Sequence, residues 1–189
     1  PGQTVVVQGC GPVGLASTML AALSAARQVI VIGAPDHRLA AAQRLGATRT
    51  IPLDTTTPEE RLAIVRDATE GRGADVVLEC AGRKEVFGET MQLLAPNGAA
   101  VLLGLFSGHG TVELDPFRLN NLSQRIIGTL GAFDMNDYVT VIRLAERFGT
   151  SLGFGELITH RFPLAQTAEA IATMRTGEAI KAVVVPSDG

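Results

Sequence analysis

The chain alternates short apolar runs with longer segments whose apolar positions recur at helical spacing. Thr4–Gln8 (TVVVQ) reads as a buried strand, and the segment after it carries Ala16, Met19, Leu20 and Leu23 along one helix face. Gln28–Ile32 (QVIVI) reads as a second strand. Asp36 is placed to cap a helix that runs through Gln43 and ends at Gly46. Thr48–Pro52 is a short third strand. Thr57-Pro58-Glu59-Glu60 matches a capping box with proline at the first helical position, and Leu62 and Val65 give that helix its inner face. Asp75–Glu79 (DVVLE) is the fourth strand. Phe87, Met91 and Leu94 mark one face of a helix that stops at Pro96-Asn97-Gly98. Ala99–Leu105, apolar nearly throughout, is the fifth strand, as expected where helices cover both faces of a sheet.

Beyond a glycine-rich loop, Ser107–Gly110, the stretch Arg125–Leu130 reads as a sixth strand. Asp134 then caps a helix whose Tyr138, Val141, Ile142, Ala145 and Phe148 face inward. In the tail, Glu156–Phe162 and Ala179–Val185 read as strands flanking a helix around Ala168–Met174. Such alternation argues for βαβ units. The expected architecture is α/β: a six-stranded, doubly wound parallel sheet with helices on both faces, plus a small C-terminal β-α-β tail. The expected division is 1–149 and 150–189, with the boundary around Gly149–Gly155.

Composition narrows the partners. The chain has 189 residues, 46% of them hydrophobic, which is enough for one large domain with an appendage. A formal net charge of -3, with Lys and Arg scattered, gives no electrostatic reason to expect nucleic acid or a membrane. No apolar run approaches the roughly 20 residues of a membrane span. Cys10 and Cys80 form no CxxC pair, so neither a disulfide framework nor a zinc knuckle is indicated, and a reducing, cytoplasmic setting is expected. The chain starts at Pro1-Gly2-Gln3, lacks an initial Met and enters a strand almost at once, so a piece of a longer protein is expected.

The chemistry starts at Gly9-Cys10-Gly11-Pro12-Val13-Gly14, which leaves the first strand and opens the first helix. That is the context of the dinucleotide fingerprint of a Rossmann fold. Gly9 allows the tight turn, Gly11 lets a pyrophosphate approach the backbone, and Gly14 lets helix and strand pack closely. The helix start offers free N–H groups and its positive dipole to the phosphates. The second strand, where an acidic residue would bind the adenosine ribose, ends instead at Gly33. Glycine there leaves room for a 2′-phosphate that Arg38 and His37 can meet, while Asp36 argues the other way or simply caps its helix. NAD and NADP both remain open.

With these residues the chain resembles the medium-chain dehydrogenase/reductase family, the zinc-type alcohol dehydrogenases in particular. The matching stretches are PGQTVVVQGCGPVGL, VIVIGAPDHRLAAAQRLGAT, ADVVLECAG, LLAPNGAAVLLGLF and LITHRFPL…AIATMRTGEAIKAVVVP. The resemblance implies that Val13 lies under the nicotinamide and that Cys80, Ala81 and Gly82 border the cofactor, with Arg83 on the adenine side. It places Leu103, Gly104 and Leu105 against the nicotinamide ribose and carboxamide, and Thr129 and Gly131 on the stretch whose backbone holds the carboxamide. Lys181 stands where the family often has an arginine reaching the pyrophosphate; a lysine acts there as a point charge and not a fork. Simpler roles stand beside these: Cys80 as an inert strand-end residue, Arg83 and Lys181 as solvated charges, His109 as a loop residue, and His160 as part of a structural motif.

In the family, zinc polarises the substrate oxygen while hydride passes to or from the nicotinamide. Such a zinc needs three protein ligands, which the family supplies largely from a domain ahead of the position of Pro1. No zinc site, no catalytic residue and no dehydrogenase activity are therefore expected in this chain by itself. The resemblance also implies that the tail strands rejoin that other domain; here they pair with each other, dock on the core, or lack order. A homodimer is expected through the sheet edge near Arg125–Leu130. The competing expectations are a non-enzymatic nucleotide-responsive module and the cofactor domain of a zinc-independent quinone or enoyl reductase.

Overall fold

The structure, a computed structural model, describes residues 1–107, 110–131, 135–149 and 153–186. The chain divides into two compact units, Pro1–Phe133 and Asp134–Gly189.

The first unit holds six parallel strands: β1 (Thr4–Gln8), β2 (Gln28–Gly33), β3 (Arg49–Pro52), β4 (Ala74–Glu79), β5 (Leu94–Leu102) and β6 (Arg125–Gly128). Their order is β3-β2-β1-β4-β5-β6, so the winding reverses between β1 and β4. In register, Val6 lies beside Ile30 on one neighbour and Val77 on the other. Successive strand residues point to opposite faces. On one face Val6, Ile30, Ile32 and Val77 cluster with Val65 of α3 (Pro58–Ala68) and with Phe87 and Met91 of α4 (Lys84–Leu93). The alternate positions Val5, Val7, Val29 and Val31 are equally buried, and α1 (Pro12–Leu23) and α2 (Asp36–Arg44) bring Leu15, Met19 and Leu39 to the core. Burying a side chain of this kind contributes about 1.5–3 kcal/mol, so this double-sided core is the main support of the sheet.

Several local expectations hold in detail. In the Thr57 capping box, the Glu60 N–H donates to the Thr57 hydroxyl at 3.2 Å and the Thr57 N–H donates to the Glu60 carboxylate at 2.7 Å. Gly46, at φ +103°, ends α2.

Others need correction. Leu20 and Leu23 of α1 are 39% and 38% exposed, because the buried face runs through Gly14, Leu15, Thr18 and Met19. Asp36 caps nothing: it is the first residue of α2, the cap position is Pro35, and Pro35 has no polar side chain to offer. The fourth helix ends at Leu93, ahead of Pro96, since Leu94 already pairs with Ala74 of β4. β5 ends at Leu102 and β6 at Gly128, short of Leu105 and Leu130, because pairing between them stops at Leu102↔Gly128. A six-residue α5 (Pro116–Asn121), capped by Asp115, precedes β6 and was not expected.

In the second unit, α6 (Met135–Phe148) forms as expected, but none of its residues is buried. Tyr138, Val141, Ile142 and Ala145 are exposed, while Phe148 is half-buried. Helical spacing creates a stripe, but only a neighbouring element buries it. Its expected cap Asp134, like Gly108 and His109 of the glycine-rich loop, lies outside the described residues. The tail strands β7 (Ile158–Pro163) and β8 (Lys181–Val185) pair with each other in parallel, with α7 (Thr167–Thr176) between them in sequence. The His160 ring stacks on Phe162 with centroids 6.3 Å apart.

Candidate functional site

The glycine turn lies at the C-terminal end of β1, where the winding of the sheet reverses. Gly9 has φ +102°, a conformation that L side chains rarely adopt, and its N–H donates to the Ile32 carbonyl at 2.8 Å. Gly14 is packed so tightly that a Cβ there would overlap the Gly9 carbonyl. Gly11 differs: a Cβ there would meet nothing within 4 Å. Gly11 is the N-cap of α1, with Pro12 at the first helical position and Val13 next, 51% exposed. Bare main chain at a helix start is the geometry that suits a diphosphate.

Beside this turn a cleft of about 710 Å³ opens between the ends of β1 and β4. Gly9, Cys10, Gly11, Gly33, Arg38, Cys80, Ala81 and Arg83 all line it. Crevices at such topological reversals are where doubly wound sheets take ligands. Cys10 is buried, its thiol reaches the Ala34 carbonyl at 3.1 Å, and burial pushes its pKa up. A Cβ on Gly33 would overlap the Cys10 sulfur, so the end of β2 has no space beneath it for a side chain. Burial likewise pushes Cys80 up to about 11, against a 3.8 Å contact with Ser17 Oγ. Neither thiol is disposed to ionise near neutrality.

The structure adds lining residues that the sequence did not single out. Arg61 and Glu89, buried in the cleft wall, form a two-pronged ion pair, Nε–Oε1 at 2.8 Å and Nη2–Oε2 at 2.7 Å. Arg61 also donates to the Thr56 carbonyl, and its guanidinium is held above its ordinary pKa by Glu89. Arg61 sits next to the capping box, yet nothing in the local pattern pairs it with a residue 28 positions away. Gln8, another lining residue, accepts a 2.6 Å hydrogen bond from the Thr90 hydroxyl.

The remaining expected residues are dispersed. Gly82 has φ +66°, and a Cβ there would lie 2.6 Å from the Leu105 carbonyl, so the Cys80–Arg83 and Leu103–Leu105 turns are in contact. Leu105 itself is 70% exposed. Thr129 donates through its hydroxyl to the Leu102 carbonyl at 3.0 Å, and Gly131 is exposed at φ +58°. Lys181 opens β8 in the second unit and is exposed. Among the described residues, no three of His, Cys, Asp and Glu gather into a metal-holding group. No helix among them is long and apolar enough to cross a membrane.

Comparison with known proteins identifies the lineage. The family model described as zinc-binding dehydrogenase matches residues 12–147. The 5-exo-hydroxycamphor dehydrogenase of Pseudomonas putida is 39% identical over 96% of this chain and 50% of its own length. An alcohol dehydrogenase structure from Thermotoga maritima superposes with a TM-score of 0.91 at 33% identity, covering 98% of this chain and 50% of that one. A Sinorhizobium meliloti structure, described as a zinc-binding dehydrogenase bound to NADP, gives 0.81 at 28% identity, covering 98% and 53%. The chain thus spans about half the length of the relatives it matches. With a doubly wound sheet, an open glycine turn at its reversal point and a family match over most of its length, the chain belongs to the zinc-binding dehydrogenases of the medium-chain dehydrogenase/reductase family and corresponds to their cofactor-binding region.

Proposed function

We propose that this chain holds a nicotinamide dinucleotide across the β1/β4 crevice and forms the cofactor half of a zinc-type dehydrogenase acting on an alcohol or polyol. The observation that carries this reading is Gly11, whose missing side chain leaves main chain bare at the start of α1 and beside the cleft. The fit is chemical as well as steric: N–H groups at a helix start stabilise negative charge. In this reading Gly9 to Gly14 hold the diphosphate, and Val13 offers an apolar surface to the nicotinamide. Cys80, Ala81 and Gly82 border the cofactor with Arg83 on its adenine side, Leu103–Leu105 lie against the nicotinamide ribose and carboxamide, and Thr129 and Gly131 flank the carboxamide. The dinucleotide, when bound, supplies the hydride acceptor or donor. The zinc that polarises the substrate belongs to the remainder of the parent protein.

The choice between NAD(H) and NADP(H) turns on Arg38 against Asp36. Arg38 lines the cleft beside Gly33, which at the end of β2 carries no carboxylate of its own for the ribose hydroxyls. The NADP bound to the Sinorhizobium meliloti relative supports the same side. Asp36, exposed in the first turn of α2, opposes a 2′-phosphate. Assembly as a homodimer belongs to the same reading. Its support is that β6 is the outermost strand of the sheet and that Ile127 and Leu130 beside that edge are exposed. A cytoplasmic setting fits the two free cysteines.

The experiment is a fluorescence titration of the folded chain with NADH and NADPH. Saturable binding is expected, and weaker NADPH binding by Arg38→Ala with NADH unchanged identifies the 2′-phosphate contact. A folded chain that binds neither dinucleotide removes the reading.

A further inference from the structure

Glu79, the last residue of β4, is 0% exposed. One carboxylate oxygen, Oε1, accepts from the Ala81 and Gly82 N–H groups, both at 2.8 Å. Its main-chain carbonyl accepts from the Leu103 and Gly104 N–H groups, again at 2.8 Å each. Glu79 thus holds two turns at once, Cys80–Arg83 with its side chain and Leu103–Leu105 with its backbone. The glycines of the turns complete the lock. A Cβ on Gly104 would overlap the Gly82 nitrogen and lie 2.6 Å from Glu79 Oε2, and a Cβ on Gly82 would lie 2.6 Å from the Leu105 carbonyl.

A buried carboxylate is a costly way to support a turn. Burial pushes the Glu79 pKa up, against the opposing effect of N–H donation from Gly82, Ala81 and Arg83. Oε2 is buried with no hydrogen-bond partner among the described residues. A residue whose only task is packing is replaced at lower cost by an apolar side chain. What an apolar side chain does not supply is an acceptor fixed under the Ala81 and Gly82 amides, and charge-assisted hydrogen bonds are the stronger kind.

We propose that Glu79 is a positioning residue that clamps the Cys80–Arg83 and Leu103–Leu105 turns together and so sets the spacing of the cleft wall that receives the nicotinamide half of the cofactor. This rests on the dinucleotide reading above. Glu79 touches no reacting atom; it acts through the turns it holds. The glycine turn after β1 packs on the Cys80 and Ala81 main chain but makes no hydrogen bond to the Glu79 carboxylate, so the clamp bears more on the nicotinamide half of the ligand than on the adenine half.

The test compares NADH (or NADPH, whichever binds) with ADP-ribose, which lacks the nicotinamide, by calorimetric titration of the wild-type chain, Glu79→Gln and Glu79→Met. Circular dichroism and denaturation establish that each variant is folded. Glu79→Met is expected to weaken the dinucleotide by about tenfold or more, as displacement of positioning groups does, and to leave ADP-ribose within about threefold. Glu79→Gln, which keeps an acceptor oxygen, restores the dinucleotide affinity. Gly104→Ala, which pushes the two turns apart with Glu79 intact, gives the same selective loss and serves if Glu79→Met does not fold. Equal loss of both ligands marks a merely structural residue and overturns the proposal, as does unchanged dinucleotide affinity in folded Glu79→Met or Gly104→Ala. Wild-type chain that binds neither ligand overturns the dinucleotide reading itself; selective loss that fails in a wild type that does bind overturns only the clamp.

Discussion

Gly14 lies against Gly9 so closely that a Cβ on Gly14 would run into the Gly9 carbonyl, whereas a Cβ on Gly11 would meet no atom within 4 Å. Two glycines of one turn thus have different duties. Gly14→Ala forces α1 off the sheet and is expected to cost about 1–3 kcal/mol, the range for overpacking. Gly11→Ala keeps an extended backbone that alanine also adopts and is expected to cost less than about 1 kcal/mol, the loss of a favourable cap residue. Dinucleotide affinity follows the opposite order among folded samples, falling for Gly11→Ala. Urea denaturation and NADH titration measure the two quantities. A Gly11→Ala chain of full affinity contradicts main-chain approach at this turn.

The buried Arg61–Glu89 pair invites a second experiment. Both side chains are nearly inaccessible, at 6% and 10%, so removing one charge strands the other. Glu89→Gln or Arg61→Met is expected to destabilise the fold by roughly 3–5 kcal/mol, while the double replacement by apolar residues recovers much of the loss. A double-mutant cycle by chemical denaturation reads the coupling. Additive losses would mean that the pair is solvated and not packed.

Cys10 and Gly33 are coupled through space. A Cβ on Gly33 would overlap the Cys10 sulfur and lie 2.9 Å from its Cβ. Gly33→Ala is therefore expected to cost about 1–3 kcal/mol, and the cost shrinks in a Cys10→Gly background, where the sulfur and its methylene are gone. The next nearest atom to that Cβ is the residue 10 nitrogen at 3.1 Å, which a shift of a few tenths of an ångström accommodates. Equal costs in the two backgrounds would show that the Cys10 side chain moves aside freely.

Cys80 makes a prediction about pH. Folding raises its thiol from 9.0 to about 11. At pH 8 roughly one thiol in a thousand is then ionised, against about one in ten at the ordinary value, so iodoacetamide is expected to label Cys80 far more slowly in the folded chain than in urea. The sign for stability follows. A group raised on folding contributes its full stability below its unfolded pKa and loses it as pH climbs, here from about 9 towards 11. Burial raises Cys10 in the same direction. The wild type is expected to lose stability across that window more steeply than a Cys10→Ala, Cys80→Ala double variant, followed by thermal melting against pH. Equal slopes would place both thiols in water.

Much of this protein is legible in its sequence, because much of it is decided locally. Apolar runs such as Thr4–Gln8 and Gln28–Ile32 and the Thr57–Glu60 capping box carry their signal within a few residues and stand in the structure as read, as does the close packing of Gly14 on Gly9. Tertiary contact decided the rest. Leu20 and Leu23 of α1 and Tyr138, Val141 and Ile142 of α6 have helical spacing yet stay exposed, and spacing carries no information about what lies opposite. The ends of β5 and β6 depend on where a neighbouring strand stops offering hydrogen bonds, which no strand encodes in itself. The Arg61–Glu89 pair and the Glu79 clamp join groups far apart along the chain. They exist because the pairing of β4 with β5 and the packing of α3 on α4 bring those groups together, and a charge reads as a surface residue until the fold encloses it.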